Sequence, residues 1–365
     1  MPERPAGSLA LASAWLWAEL RPFAGRAEAA TRIALGVCLT AFLVLLFELP
    51  GLGIAAYIPL FTYRRDRRST IKLGVAFGLF AMLTVGTTLP LWSISENRWA
   101  LRFIVLLMVT FVTFDTMLIP KLGPLAFAIG SLTVLLLTIA GLVPDGELVT
   151  TELLKAATSI VIGGGVSASI ASVPWITAPE AEAAEEEFEE VSASSDRAIF
   201  AVRGTFAVML GFVIFSATDW FGIHTCMFTT LFIASPERER LLRKGALRIG
   251  GAAFGSLLAL VAMVWVVPQL DDVAGFLAMV AIVSLLAGWV AAGSERISYA
   301  GMQIGLAFFL AVLALPGPIY ELSEARDRVI GVLLGVLLAW FAFSPGTLGL
   351  DRPFRRSPPT GQPVE

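Results

Sequence analysis

Apolar runs of about twenty residues recur along this 365-residue chain, and no other feature limits its fold as much. A helix needs ~20 apolar residues to cross the hydrocarbon core of a bilayer. Only 15% of the residues are charged, whereas soluble domains carry about 25%. The runs therefore predict an all-α membrane protein that crosses the bilayer several times.

The hydropathy pattern predicts about twelve transmembrane helices, arranged as two parallel six-helix repeats. The predicted spans are roughly 32–48, 52–63, 72–92, 101–119, 123–143 and 152–173, and then 203–218, 222–234, 246–268, 274–292, 298–316 and 327–343. The domain boundaries that follow are 1–30 for an N-terminal cytoplasmic or interfacial segment, 31–173 for the first repeat, 174–197 for an acidic cytoplasmic linker, 198–345 for the second repeat and 346–365 for a disordered cytoplasmic tail.

Basic residues predict the orientation, because cytoplasmic loops of membrane proteins are enriched in Lys and Arg. Placing both termini in the cytoplasm puts the runs RRDRR and ERERLLRK on that side, together with most of the 26 basic residues. The opposite orientation would export these charges. We therefore expect both termini and the linker in the cytoplasm.

Matched residues indicate that the two halves are copies. At one constant spacing, Arg32 matches Arg203, Glu48 matches Asp219 and Gly51 matches Gly222; with a few inserted residues, Lys72-Leu-Gly then aligns with Arg248-Ile-Gly. Six spans per half give both copies the same orientation, with a pseudo-twofold axis along the membrane normal. The alternative is that any two apolar sets can be slid into partial agreement.

Embedded basic residues suggest a path for an anion, since charges within a membrane are costly and are usually retained for a function. The second span of each half, 52–63 and 222–234, is short, and short matched spans point to a transport site. The candidates for contacting an anion are Arg32, Arg203, Lys72, Arg248, Lys155 and Arg328. The alternative is that these side chains extend to the headgroups.

Four groups are candidates for coupling transport to protons: His224, Asp115, Glu48 and Asp219. Histidine alone has an ordinary pKa near neutrality. Each group also has a structural explanation. His224 could be a packing residue, Asp115 a partner of Lys121, and the matched acidic pair could cap hairpins in water.

Other classes of function are excluded by what the chain lacks. The cysteines Cys38 and Cys226 lie inside apolar runs and are predicted core residues, and one histidine cannot build a metal cluster. The sequence has no nucleotide-binding or hydrolase motif, and no basic face for nucleic acid. We expect no enzyme activity, no cofactor and no nucleic-acid partner.

Three segments resemble the fusaric acid resistance family: SPERERLLRKGALRIGGAAFG, SYAGMQIGLAF and EARDRVIGVLLGVLLAWFAF. The likeness covers most of residues 30–345 and is clearest in the second half. The first half departs from the pattern, because Lys155-Ala-Ala-Thr-Ser replaces an Arg-rich helix opening. The larger pumps of the family also carry a cytoplasmic domain where this chain has only the acidic linker.

The resemblance implies a secondary transporter in a bacterial inner membrane. It implies export of aromatic carboxylic acids, or of similar small organic anions and toxic compounds, driven by protons. The partners it implies are a periplasmic membrane-fusion adaptor and an outer-membrane channel, and a homo-oligomer stays open. Plant aluminium-activated malate channels look like distant relatives and supply one alternative, a passive organic-anion channel. A non-transporting membrane scaffold, docking through the acidic linker, is the other.

Overall fold

The computed structural model describes residues 16–96, 98–119, 122–141, 146–173, 194–313 and 322–347. These residues are folded largely into helix, and none of them forms a β-strand. The predicted all-α fold is confirmed. The predicted linker lies almost wholly outside the described residues, as do residues 1–15 of the N-terminal segment and 348–365 of the tail.

Twelve α-helices lie in the described parts of the chain. Those of the first half are α1 Arg26–Leu46, α2 Leu52–Thr62, α3 Arg67–Ser95, α4 Trp99–Met117, α5 Gly123–Ala140 and α6 Gly146–Ser172. Those of the second half are α7 Ser194–Ala217, α8 Thr225–Ile233, α9 Arg238–Val261, α10 Val273–Ala291, α11 Ser298–Val312 and α12 Leu322–Ala342. A 3₁₀ turn, Phe221–His224, leads into α8, and α9 continues as a π-helical turn and a 3₁₀ turn to Gln269.

Among the residues that the structure describes, seven helical segments are long and apolar enough to cross a membrane by length and composition. They are Arg26–Leu46, Arg67–Ser95, Trp99–Met117, Leu148–Ser172, Asp196–Ala217, Arg238–Gln269 and Val273–Ala291. Four apolar helices are shorter: Leu52–Thr62, Leu125–Ala140, Phe221–Ile233 and Ser298–Val312. The chain is thus a multi-pass membrane protein, whereas the count of twelve spans stays a prediction.

The helices α2 and α8 are too short to cross a bilayer, as the sequence predicts. They contain 11 and 9 residues, and at 1.5 Å per residue they reach about 15 Å, half of the hydrocarbon core. Gly51 starts α2 with a positive φ of 75°, and Pro59 lies inside that helix. In α8 the 3₁₀ turn takes the place of the first α-helical turn. Both helices pack against longer neighbours, α2 against α6 and α8 against α12.

The carboxyl ends of α1 and α7 have the same geometry. Glu48 and Asp219 have φ angles of 51° and 52°, and among the described residues no other non-glycine residue has a positive φ. The amide of Leu49 donates to Val44 O at 3.0 Å, and the amide of Trp220 donates to Phe215 O at 3.2 Å. This is a Schellman-type helix end. Two exposed acidic residues therefore act as left-handed caps at matched positions.

Helix packing joins the two halves through both hydrophobic cores. Within each half α3 packs on α6 and α9 packs on α12. Between the halves α1 packs on α10, α4 on α7 and α2 on α11. One core gathers residues of α4, α5 and α6 with residues of α7 and α8, and the other gathers residues of α1 and α2 with residues of α9 to α11. The halves are therefore not separate domains.

Arg26 anchors the segment before α1. Its side chain is 1% exposed and donates to the carbonyl oxygens of Trp289, Glu19 and Arg21, each at 2.8 Å. Its guanidinium also lies 4.9 Å from the ring of Trp289. Arg26 therefore fastens the N-terminal segment to the end of α10.

Asp66 caps the start of α3, and its removal should destabilise the fold in a pH-dependent way. Its carboxylate accepts from the amides of Ser69 at 2.7 Å and Arg68 at 3.1 Å. Hydrogen bonding to Ser69 lowers the pKa of the Asp66 carboxyl. A carboxyl whose pKa falls on folding stabilises the fold above its unfolded pKa, and this contribution is lost as the pH falls.

For Asp66→Ala we expect a loss of about 0.5–2 kcal/mol near neutral pH, and a loss that disappears as the pH falls below about 4. Thermal unfolding in detergent at the two pH values measures it. Glu237→Ala is the control, because Glu237 occupies the N-cap of α9 without a side-chain capping hydrogen bond. Equal losses in both variants would contradict the capping role.

Candidate functional site

Arg248 is a buried cation without a carboxylate partner in the described part of the chain. It lies on α9 and is 4% exposed. Its Nε donates to Thr229 Oγ1 of α8 at 3.0 Å, and its Nη1 donates to the Tyr299 hydroxyl of α11 at 3.2 Å. The guanidinium lies 5.3 Å from the ring of Phe232. Two hydroxyls and a ring hold the guanidinium in position without neutralising its charge. A guanidinium in these surroundings is suited to binding an anion.

The first half also reaches Arg248. Tyr57 of α2 lies close enough to interact electrostatically with Arg248 and Tyr299. Phe127 of α5 packs edge-on against Phe232, with ring centroids 5.4 Å apart. The Arg248 site, defined by Arg248, Thr229, Tyr299, Tyr57, Phe232 and Phe127, therefore lies between the halves and beside both short helices.

An aromatic stripe leads away from Arg248 along α8. Phe232, Phe228 and His224 are four residues apart, so they share one face of the helix. His224 stacks on Phe221 with ring centroids 4.6 Å apart, and its Nδ1 lies 2.8 Å from Phe221 O. Phe228 meets His224 edge-on at 6.1 Å. We call Phe221, His224, Phe228 and Phe232 the α8 stripe.

The α8 stripe ends in a cleft of about 230 Å³ at the end of the bundle where α1 and α7 stop. The cleft is lined by Trp99, Arg102, Thr138, Gly141, Phe212, Phe215, Ser216, Asp219 and Phe221. Arg102 donates to Gly141 O at 3.2 Å and lies 4.6 Å from the ring of Trp92, while its Nε is buried without a hydrogen bond. Aromatic walls and one guanidinium suit an aromatic anion.

Two of the contacts between the halves, the α2–α11 junction and the α5–α8 junction, are made by different kinds of atoms. A Cβ on Gly53 would lie 2.7 Å from Phe309 O, and the amide of Gly53 donates to Leu313 O at 3.1 Å. The backbones of α2 and α11 are thus in direct contact. The sequence match of Gly53 in the second half is His224, whose ring contacts Phe221 and Phe228 of its own segment. Further along α8, the rings of Phe232 and Phe127 join α8 to α5. Side chains fill the α5–α8 junction, whereas backbone closes the α2–α11 junction.

The predicted anion-contacting residues divide into buried and exposed groups. Arg32, Arg203, Arg248 and Arg328 are 4–9% exposed. Lys72 is exposed on α3, and Lys155 pairs with Glu152 at 3.2 Å with 46% of its side chain exposed. Exposed lysines can extend to the headgroups. The geometry brings Arg248 to the junction of the halves and leaves both lysines at the surface.

The helix starts favour another register for the predicted pairing of Lys72 with Arg248. α3 and α9 begin at Arg67 and Arg238, which have the same spacing as Arg32 and Arg203. At that spacing Lys72 matches the exposed Arg243, and Arg248 matches Phe77. The glycine contacts agree with it, because Gly74 faces α6 as Gly245 faces α12. The pairing of Lys72 with Arg248 stays a prediction.

The acidic candidates lie away from the Arg248 site. Glu48 and Asp219 are exposed helix caps. Asp219 also lines the cleft at the end of the α8 stripe that contains Arg102. Asp115 is partly buried near the end of α4, and its predicted partner Lys121 lies outside the described residues. Of the four, His224 alone lies on the α8 stripe. Proton coupling through any of them stays a prediction.

Sequence reasoning missed Arg102 as a site residue. The available signal was the neighbouring Trp92, Trp99 and Phe103, since an arginine among aromatic residues in a membrane segment is typically packed on them.

Sequence comparisons relate the chain to known proteins. Residues 206–342 match the fusaric acid resistance protein-like family. The chain is 40% identical over 141 residues to the multidrug resistance protein MdtO of Shigella flexneri, and equally to MdtO of Escherichia coli strain K12. The match covers 38% of this chain and 21% of MdtO, so the chain spans about a fifth of the length of these relatives. No solved structure matches the chain.

The described residues form an all-helical bundle with seven helices of membrane-spanning length and with buried cations. The chain is therefore a multi-pass membrane protein. Within that class the chain carries a fusaric acid resistance protein-like region over residues 206–342, from α7 to α12. The resemblance drawn from the sequence is confirmed.

Proposed function

We propose that this protein exports aromatic carboxylic acids, or similar small organic anions and toxic compounds, across a bacterial inner membrane. The observation that carries the proposal is Arg248, a buried guanidinium held by Thr229 and Tyr299 without a carboxylate. A guanidinium binds a carboxylate with two parallel hydrogen bonds. The rings of the α8 stripe supply flat apolar contacts for the rest of such a substrate.

The direction of transport is supported by the relatives. MdtO is named a multidrug resistance protein, and export of a toxic compound is one way in which a membrane protein confers resistance. Under this proposal a periplasmic adaptor and an outer-membrane channel carry the substrate onward, and both termini lie in the cytoplasm. Assembly into a homo-oligomer stays open.

A two-repeat architecture of twelve helices belongs to the same proposal. It is supported by the matched caps Glu48 and Asp219. It is supported also by a matched contact: a Cβ on Gly163 would meet Ala55 O, and a Cβ on Gly335 would meet Cys226 O. In this arrangement α2 and α8 correspond, and the substrate path follows the α5–α8 junction.

Flux into proteoliposomes tests the function. With 4-hydroxybenzoate as the probe, we expect uptake that an imposed pH gradient accelerates and that protein-free liposomes lack. Uptake at the same rate with and without the pH gradient would instead indicate a passive organic-anion channel. No uptake with this or related aromatic acids would leave a non-transporting scaffold.

The pH profile of this flux tests His224, the one titratable side chain of the α8 stripe. For His224→Gln, which keeps a polar amide at the position, we expect a flatter profile between about pH 5 and 8, where histidine ordinarily titrates. Phe228→Leu controls for altered packing of the same helix face. If the profiles of wild type and His224→Gln superimpose, His224 is a packing residue and the coupling proton binds elsewhere.

A further inference from the structure

Arg32 is the most isolated buried charge in the described part of the chain. It lies on α1 and is 7% exposed. Its Nε is buried without a hydrogen bond, and the one contact of its guanidinium is the ring of Tyr63, 4.9 Å away. Burying a cation without a partner is costly. A ring offers only part of the compensation that an anion would give.

A small pocket lies beside this guanidinium. It is lined by Arg32, Ile33, Gly36, Pro59, Tyr63, Thr70, Ser167 and Ile170. Its volume is about 10 Å³, enough for one water molecule or one small ion. This small volume favours a monatomic anion over the carboxylate of an aromatic acid or a lipid phosphate group.

The neighbouring hydroxyls already have partners. Ser167 Oγ lies 2.6 Å from Thr62 Oγ1, and Thr70 Oγ1 lies 3.0 Å from Arg64 O and 3.1 Å from Asp66 O. These groups make the pocket polar and contribute no negative charge. A water molecule would therefore leave the charge of Arg32 uncompensated, whereas a halide would compensate it.

The second half does not repeat the polar lining of this pocket. Arg203, the match of Arg32, is similarly buried at 6% exposure and has interactions of its own. Its surroundings differ, because the residues that correspond to Tyr63, Thr70 and Ser167 are Ala234, Leu241 and Ala339. The polar pocket is therefore particular to the first half.

We propose that the Arg32 pocket binds a single small inorganic anion of chloride size. The anion is a fixed counter-ion of α1, and it is distinct from the organic anion that binds at Arg248. The inference does not depend on transport, since it concerns the stability of the folded chain.

Thermal unfolding of the purified protein in detergent tests the proposal. Sodium chloride or bromide replaces sodium gluconate at constant ionic strength. A ligand that binds only the folded state raises the unfolding temperature, and we expect a saturating rise of roughly 2–5 °C for the wild type. Arg32→Gln should show no rise. In gluconate it should unfold no earlier than the wild type, because it lacks the uncompensated charge.

Two further variants separate the site from general salt effects. Arg203→Gln should keep the halide-dependent rise. Ser167→Val, which fills the pocket and leaves the guanidinium in place, should lose it. Crystals grown in bromide should show anomalous scattering beside Arg32. A wild type indifferent to halide, a rise that survives in Arg32→Gln, or stabilisation by added phosphatidylglycerol in place of halide would each overturn the proposal.

Discussion

Replacing Arg248 with glutamine should lower the affinity for a transported aromatic acid by roughly one to two decades, since a hydrogen bond to a charged group is worth about 1.5–3 kcal/mol. The glutamine amide lies about where Nε of Arg248 lies and can still bond to Thr229, so the contact between α8 and α9 should persist. The lost charge, rather than a lost fold, would then explain the defect. Concentration dependence of 4-hydroxybenzoate uptake into proteoliposomes measures it.

The matched control is Arg243→Gln on the same helix, where the side chain is exposed. It removes an equal charge from α9 and should leave affinity unchanged. Tyr299→Phe should give a smaller loss than Arg248→Gln, because it removes one positioning hydrogen bond and keeps the cation. Wild-type affinity in Arg248→Gln would show that the anion binds elsewhere.

Replacing Gly53 with valine should separate the two halves of the bundle and cost about 1–3 kcal/mol or more of stability. A Cβ there would lie 2.7 Å from Phe309 O and 3.1 Å from the carbonyl carbon of the same residue. These are backbone atoms of α11 and cannot rotate away. The hydrogen bond from Gly53 N to Leu313 O should break as the helices part.

Unfolding temperature and the yield of monodisperse protein in detergent measure the effect of Gly53→Val. The control is Gly165→Ala in α6, because a Cβ at Gly165 would meet no atom within 4 Å. In a helix that change should be neutral or stabilising. Equal stability of Gly53→Val and the wild type would refute direct backbone contact between α2 and α11.

Sequence reasoning predicted the features that depend on local chemistry. The apolar runs predict the helices, and the short α2 and α8 follow from Gly51, Pro59 and Gly222. The sequence matches Glu48 with Asp219 as acidic residues that could cap hairpins, and both residues adopt the same left-handed conformation at a helix end. Each of these depends on residues that are close in sequence.

The environment of each arginine could not be predicted in this way. Arg26, Arg102 and Arg203 look alike in a hydropathy profile, because a charge near a helix end is expected to face headgroups. Their burial depends on contacts distant in sequence, such as that of Arg26 with Trp289. The register of Lys72 against Arg243 depends likewise on which glycines face α6 and α12.

Under the proposed export function, the difference between the α2–α11 and α5–α8 contacts bears on how many substrate molecules one chain carries. Two equal halves would offer two equivalent routes, one along each of these contacts. Backbone atoms are in direct contact at the α2–α11 junction, whereas rotatable rings meet at the α5–α8 junction. The proposal therefore places a single route at the α5–α8 junction and predicts that one chain carries one anion at a time.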